Sequence, residues 1–198
     1  MTCIAGVVDN KGRVYIGGDS ASTAGDALMV REDRKVFPKG ATIMGFCGSY
    51  RAGQLLRYRF EPPRCPSALQ PADYMATRFV DALRDCLEAG GFDWEAEDEP
   101  SAFLVGYRSK LFFIESDLQV GQAKAPYYAL GSGGEYAIGA LHEMYVNEPE
   151  LTPRERLGRA LLAAEHWCST VRAPFFIEEL KRPRASRPVA STAPKRKR

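Results

Sequence analysis

The spacing of apolar positions changes several times along this chain, and each change predicts an element. Residues 2–8 (Thr2-Cys3-Ile4-Ala5-Gly6-Val7-Val8) and 13–18 are short β-rich runs, joined by Asp9-Asn10-Lys11-Gly12, whose composition suits a hairpin loop. A Gly/Ser/Thr/Asp stretch over 19–26 separates them from two further strand candidates near 35–37 and 42–46. Helical spacing then takes over. Leu55, Leu56 and Phe60 mark a helix from Tyr50 that Pro62-Pro63 ends, and Tyr74, Met75, Phe79, Leu83, Cys86 and Leu87 line one side of a helix over 71–89 stopped by Gly90-Gly91. Past an acidic link over 94–100 come strands at 101–107, 111–116 and 127–130. Helices at 134–146 and 153–169 follow, the second announced by Thr152 at the N-cap and Pro153 at the first helical position, and a last extended piece covers 175–180. Strands, two helices, strands, two helices is an α+β order, not alternating βαβ. Two sheets face to face with helices outside both would satisfy it.

Composition narrows the setting. The 198 residues are 45% hydrophobic, enough for one substantial core. The net charge of +2 conceals an asymmetry, because residues 181–198 hold eight Lys/Arg and no acid, leaving 19 basic against 25 acidic side chains in 1–180. The expected organisation is therefore one domain over 1–180, net −6, and a disordered basic tail over 181–198 that has too little apolar content to offset its ordering entropy. A nucleic-acid role is not expected, except through that tail. No stretch approaches the roughly 18 apolar residues of a membrane span, and no basic segment leads into an apolar signal core, so the expectation is a cytoplasmic protein with no membrane contact. The five cysteines (3, 47, 65, 86 and 168) are odd in number and form no C-x-x-C pair, which reads as reduced thiols. His142 and His166 lie on different expected helices with no acidic or Cys cluster at ligand spacing, so no metal site is expected. No Walker-type glycine loop is present, and no cofactor is expected.

Candidate chemistry begins at Thr2. With Met1 removed, one residue would carry both a hydroxyl nucleophile and a free α-amine to serve as its base, the chemistry of an N-terminal nucleophile hydrolase. A cation near Thr2 would lower the amine's pKa from its ordinary ~7.7–8.0 and favour the proton-accepting form.

Five blocks carry a resemblance: Thr2-Cys3-Ile4, Gly17-Gly18-Asp19-Ser20-Ala21-Ser22-Thr23-Ala24-Gly25, Arg34-Lys35-Val36, Gly45-Phe46-Cys47-Gly48 and Gly131-Ser132-Gly133-Gly134-Glu135-Tyr136-Ala137. Their order is that of proteasome β-subunits, and the last block together with Ile177-Glu178-Glu179-Leu180 looks most like the bacterial HslV-type peptidase. The similarity spans residues 2–180. It implies a four-layer αββα sandwich of two antiparallel sheets flanked by helices, and a self-compartmentalised N-terminal threonine endopeptidase in a homo-oligomeric ring, six- or seven-fold and possibly stacked. The substrate would be a peptide or unfolded protein, and ATP-driven delivery would need a separate AAA+ unfoldase. Position by position, Thr2 matches the nucleophile, Asp19 and Lys35 the charged pair beside it, Gly48 the oxyanion glycine and Ser132 the serine near the α-amine. Ser132 could equally cap the helix that follows it.

Two departures stand out. The family carries an aspartate in the penultimate helix where this chain places His166, which could accept a hydrogen bond from Ser132 but supplies no fixed negative charge. After Gly48 the family has small residues and an aspartate, whereas here Ser49-Tyr50-Arg51-Ala52 follows, a change that either reshapes the substrate pocket or is a surface pair at a helix start. A catalytically silent assembly subunit is the alternative these departures raise. An N-terminal cysteine amidase using Cys3 is a third reading, and it requires removal of Thr2 as well.

Overall fold

The computed structural model describes residues 2–93 and 100–180. The expected basic tail and most of the acidic link lie outside the described residues.

Two antiparallel sheets form the centre. The first has the order β10-β1-β2-β11, from β1 (Ile4–Val8), β2 (Val14–Gly18), β10 (Tyr127–Leu130) and β11 (Phe176–Glu179). The second has the order β5-β6-β7-β8-β9, from β5 (Val36–Lys39), β6 (Thr42–Cys47), β7 (Ala102–Tyr107), β8 (Lys110–Ile114) and β9 (Val120–Gln122). Antiparallel strands commonly alternate apolar with polar because one face is wet. Here β2, β6 and β7 are buried at every position, because each sheet is covered on both faces. Ile4, Val14, Ile16, Ile43, Leu104 and Leu111 fill the layer between the sheets. From the same strands, Ala5, Val7 and Tyr15 face α4 (Gly134–Asn147) and α5 (Pro153–Trp167), which cover the first sheet. Met44, Phe46, Phe103 and Val105 face α1 (Tyr50–Tyr58) and the helical run over the second sheet. That run is α2 (Pro71–Tyr74), a π-helical turn (Met75–Phe79) and α3 (Val80–Ala89). The architecture is the expected αββα sandwich.

Local signals hold where they were strongest. Thr152 and Glu155 form a full capping box with Pro153 in the first turn of α5, and α3 ends at Gly90. Three strands were not anticipated. The stretch over 19–26 is not all loop, since Ala21–Ala24 (β3) pairs with Ala27–Val30 (β4) in a separate two-stranded ribbon. Its small and hydroxyl residues hid a strand, and β4 is exposed along its length, so no buried face imposed an alternating pattern. Strand β9 is a three-residue edge, too short to show a period.

Candidate active site

Three chain segments meet at one end of the sandwich. Thr2 precedes β1, Asp19 follows β2 and Lys35 precedes β5, so adjacent strand ends in the two sheets deliver all three side chains to one place. Thr2 is 2% exposed, Asp19 0% and Lys35 1%. Lys35 Nζ donates to Thr2 Oγ1 at 2.7 Å and to Asp19 Oδ1 at 2.9 Å. The Asp19 carboxylate also accepts from the backbone N–H groups of Cys3 (3.0 Å), Ala21 (2.9 Å) and Arg172 (3.3 Å), which fix its orientation. Burial pushes the Lys35 pKa below the ordinary lysine value, against the opposing pull of Asp19. A buried ion pair persists when its remaining hydrogen-bonding positions are filled, and Asp19 meets that condition. An oxygen that accepts from an ammonium carries developing negative charge more easily, and here that oxygen is the Thr2 hydroxyl.

Ser132 stands on the other side of Thr2. Thr2 N donates to Ser132 Oγ at 3.2 Å, and Gly133 N donates to the Thr2 carbonyl at 3.2 Å. The alternative of a helix cap is not what the geometry shows, since the N-cap of α4 is Gly133 with no side-chain capping bond. Thr2 N is the peptide nitrogen that follows Met1 in the sequence. Gly131 makes this approach possible: at φ +87° a Cβ there would run into the Thr2 carbonyl oxygen.

Gly48 lies at the end of β6 and lines, with Thr2, Ser101, Glu115 and Ser132, a cleft of about 350 Å³. Its φ is +85°, and a Cβ would sit 2.8 Å from the Ser101 Cα and 2.9 Å from the Pro100 carbonyl oxygen. The next residue is held by Ser49 N donating to Ser101 Oγ at 3.0 Å, which fixes the turn that presents Gly48.

No family model matches the chain. Its sequence is 27% identical over 182 residues to the ATP-dependent protease subunit HslV of Aquifex aeolicus (strain VF5), covering 87% of this chain and 94% of that protein. The solved structure of Thiobacillus denitrificans BPH in complex with epoxomicin superposes with a TM-score of 0.73 at 21% identity, covering 91% of this chain and 100% of that one. Eukaryotic HslV from Trypanosoma brucei superposes with a TM-score of 0.64 at 17% identity, over 91% of this chain and 99% of that one. The chain is an HslV-type relative. Its fold is that of the HslV- and proteasome-type N-terminal nucleophile hydrolases.

Against that HslV-type pattern, the region around Ser132 needs a correction. His166 is exposed and lies edge-on to Trp167, with ring centroids 4.8 Å apart. Ser132 Oγ instead meets Thr170 Oγ1 at 3.0 Å and Cys168 Sγ at 3.5 Å, and the thiol and Thr170 are themselves 3.2 Å apart. His166 is still within α5, on its outer surface, whereas Cys168 and Thr170 follow the helix end and turn inward. The cue in sequence was the run Cys168-Ser169-Thr170 directly after the helix. Burial raises the Cys168 pKa, but hydrogen bonds from Thr170 and Ser132 outweigh it and leave the thiol below its ordinary value. Cys47 is pushed up to about 11 by burial, and Cys3 is raised as well by burial and by Asp19.

The loop after Gly48 divides in two. Arg51 points away from the cleft and donates to the Gly90 carbonyl at the end of α3, a structural contact. Tyr50 turns toward the site, with Lys35 Nζ 5.8 Å from its ring centroid. Among the described residues no group of three or more His, Cys, Asp or Glu could hold a metal ion, and no helix is long and apolar enough to cross a membrane.

Proposed function

We propose that this chain is a threonine-type endopeptidase subunit that uses Thr2, exposed by removal of Met1, as its nucleophile. The observation that carries this reading is the buried Lys35 ammonium, 2.7 Å from Thr2 Oγ1 and paired with Asp19 at 2.9 Å. Protease subunits among the sequence relatives support a peptidase, and the capture of a structural relative with epoxomicin supports an inhibitable nucleophile.

In the proposed reaction the Thr2 amine, beside Ser132, takes the hydroxyl proton directly or through water. Thr2 Oγ bonds to the peptide carbonyl carbon, and the Gly48 N–H stabilises the tetrahedral oxyanion, with Lys35 lowering the cost of charge on Oγ. The C–N bond breaks as the amine returns the proton to the leaving nitrogen. Water then adds to the acyl-enzyme and releases Thr2. Ring assembly and delivery of unfolded substrates by a separate ATPase belong to the same proposal, on the strength of the HslV relatives.

The neutral surroundings of Ser132, whose partners Thr2, Thr170 and Cys168 bring no carboxylate, favour a second reading, a silent assembly subunit. Hydrolysis of fluorogenic peptides separates the two. The endopeptidase reading predicts turnover that falls to background in Thr2→Ala. A wild-type protein inert to a broad peptide panel would favour the silent subunit.

A further inference from the structure

The end of the sandwich opposite Thr2 carries a second hollow. Val14 and Thr42 line it at the near ends of β2 and β6, strands whose far ends lead to Asp19 and Gly48. It measures about 560 Å³, more than the 350 Å³ of the cleft, and lies within the roughly 300–1,000 Å³ of pockets that take small organic ligands. The tips of three hairpins enclose it: β1–β2 at Gly12, β5–β6 at Gly40 and Ala41, and β7–β8 at Arg108 and Ser109. Much of its wall is apolar. Tyr74 and Tyr107 are buried with ring centroids 5.2 Å apart, and Pro62, Pro63 and Leu180 extend the surface they offer. The wall is also braced, since the Tyr74 hydroxyl donates to the Pro63 carbonyl at 2.5 Å and a Cβ on Gly12 would lie 2.7 Å from Ser109 Oγ.

The charges around this hollow have one sign. Arg13, Arg64 and Arg108 line it, and among the described residues no Asp or Glu does. Asp9 holds Arg13 Nε at 2.7 Å, but among the described residues no carboxylate lies within ion-pair reach of Arg64 or Arg108. The Arg108 guanidinium stands 5.3 Å from the Tyr107 ring centroid, so a cation adjoins the aromatic wall. A two-residue hairpin turn with positive φ at both positions ordinarily takes Asn-Gly. Here the pair is Arg108 at φ +43° and Ser109 at φ +66°, which puts a guanidinium at the rim at a conformational cost. The residues that follow Leu180, Lys181-Arg182-Pro183-Arg184, share the sign of these arginines and are opposed by them as occupants.

We propose that this hollow binds a small aromatic organic anion. Its rings lie against Tyr74, Tyr107 and the two prolines, and its carboxylate, sulfonate or phosphate pairs with Arg64 and Arg108, whose planar forks suit such groups. Two or three fused rings are within its capacity, because a cavity of about 150 Å³ already takes up one benzene.

Titration of the full-length protein with anilinonaphthalene sulfonate tests the proposal, read by dye fluorescence and by alkylation of Cys65, which lines the same hollow. The expected result is one saturable dye per chain that slows alkylation of Cys65 and leaves that of Cys168, beside Ser132, unchanged. The double variant Arg64→Ala/Arg108→Ala should weaken the dye by at least about tenfold. Phenylnaphthylamine, which has the same rings without the sulfonate, should bind that variant as it binds the wild type. Both arginines are exposed, and thermal melting shows that the variant is folded. Thr2→Ala should take up the dye as the wild type does, so failure of the nucleophile reading leaves this inference standing. No saturable uptake by the folded protein, as when another segment or a second copy of the chain already fills the hollow, overturns the proposal. So does bound dye that leaves Cys65 unprotected, or an affinity unmoved in the arginine variant.

Discussion

The two sides of Thr2 are built from different chemistry. On one, Asp19 and Lys35 form an ion pair with both side chains at 0% exposure, locked by three backbone N–H donors to the carboxylate. On the other, Ser132, Thr170 and Cys168 form a neutral cluster of hydroxyls and a thiol, only partly buried, at contacts of 3.0–3.5 Å. A buried charge cannot lose its counter-charge without a large penalty, while a half-exposed hydroxyl can exchange its partner for water. In the reaction proposed above, the charged side is the part that sets whether Thr2 reacts, and the neutral side the part that orients the freed amine.

The largest way to break this comparison is Lys35→Met. It leaves the Asp19 carboxylate buried without its ammonium, at an expected cost of about 3–5 kcal/mol in stability. Activity should fall by about 10²–10³-fold or more even in the fraction that melting shows to be folded. Retained activity would remove Lys35 from the mechanism.

Gly48→Ala probes the seam between the two sides. The strained φ of +85° and the 2.8 Å approach to Ser101 predict a cost of about 1–3 kcal/mol. Displacing the proposed oxyanion donor predicts about a 10²-fold drop in kcat with a smaller change in KM.

Smaller effects are expected on the neutral side. Ser132→Ala removes the contact to Thr2 N together with those to Thr170 and Cys168, and Thr170→Val removes those to Ser132 and Cys168. The change felt at the amine is about one hydrogen bond, worth about 1 kcal/mol, so each should cost roughly tenfold or less in kcat, while His166→Ala on the outer face of α5 should leave the rate unchanged. A loss at His166 matching that at Thr170 would restore the histidine to the network. Alkylation sharpens the same point through pH. The thiolate is the reactive form, so Cys168, held below its ordinary value, should reach its full alkylation rate at a lower pH than a free thiol. Cys47, raised to about 11, and Cys3 should label only under far more alkaline conditions or on unfolding.

The charged side was anticipated because the blocks that hold Thr2, Asp19 and Lys35 resemble those of proteasome β-subunits, and the structure brings the three side chains together from strand ends: Thr2 before β1, Asp19 after the Gly17-Gly18 pair, Lys35 before β5. The helices were legible from their apolar spacing, and α5 from its Thr152-Pro153 start. The partners of Ser132 were not. Thr170 reaches Ser132 only because the link between α5 and β11 folds back over the end of the sandwich, and position along a helix pointed to His166 instead. Tyr50 was noticed as a departure, but its setting depends on Arg31 at the end of a ribbon whose exposed strand carries no burial pattern to read. Contacts between segments distant in sequence were the part left to the structure.

The central claim is that Thr2 carries a free amine and a competent hydroxyl. Intact mass of the purified protein before and after a peptide epoxyketone, a probe that bonds to both groups of an N-terminal threonine, tests it most directly. The account predicts a chain lacking Met1 that gains one adduct, mapped to Thr2 and abolished by Thr2→Ala. A chain that keeps Met1, or a trimmed Thr2 that stays unlabelled, would contradict it.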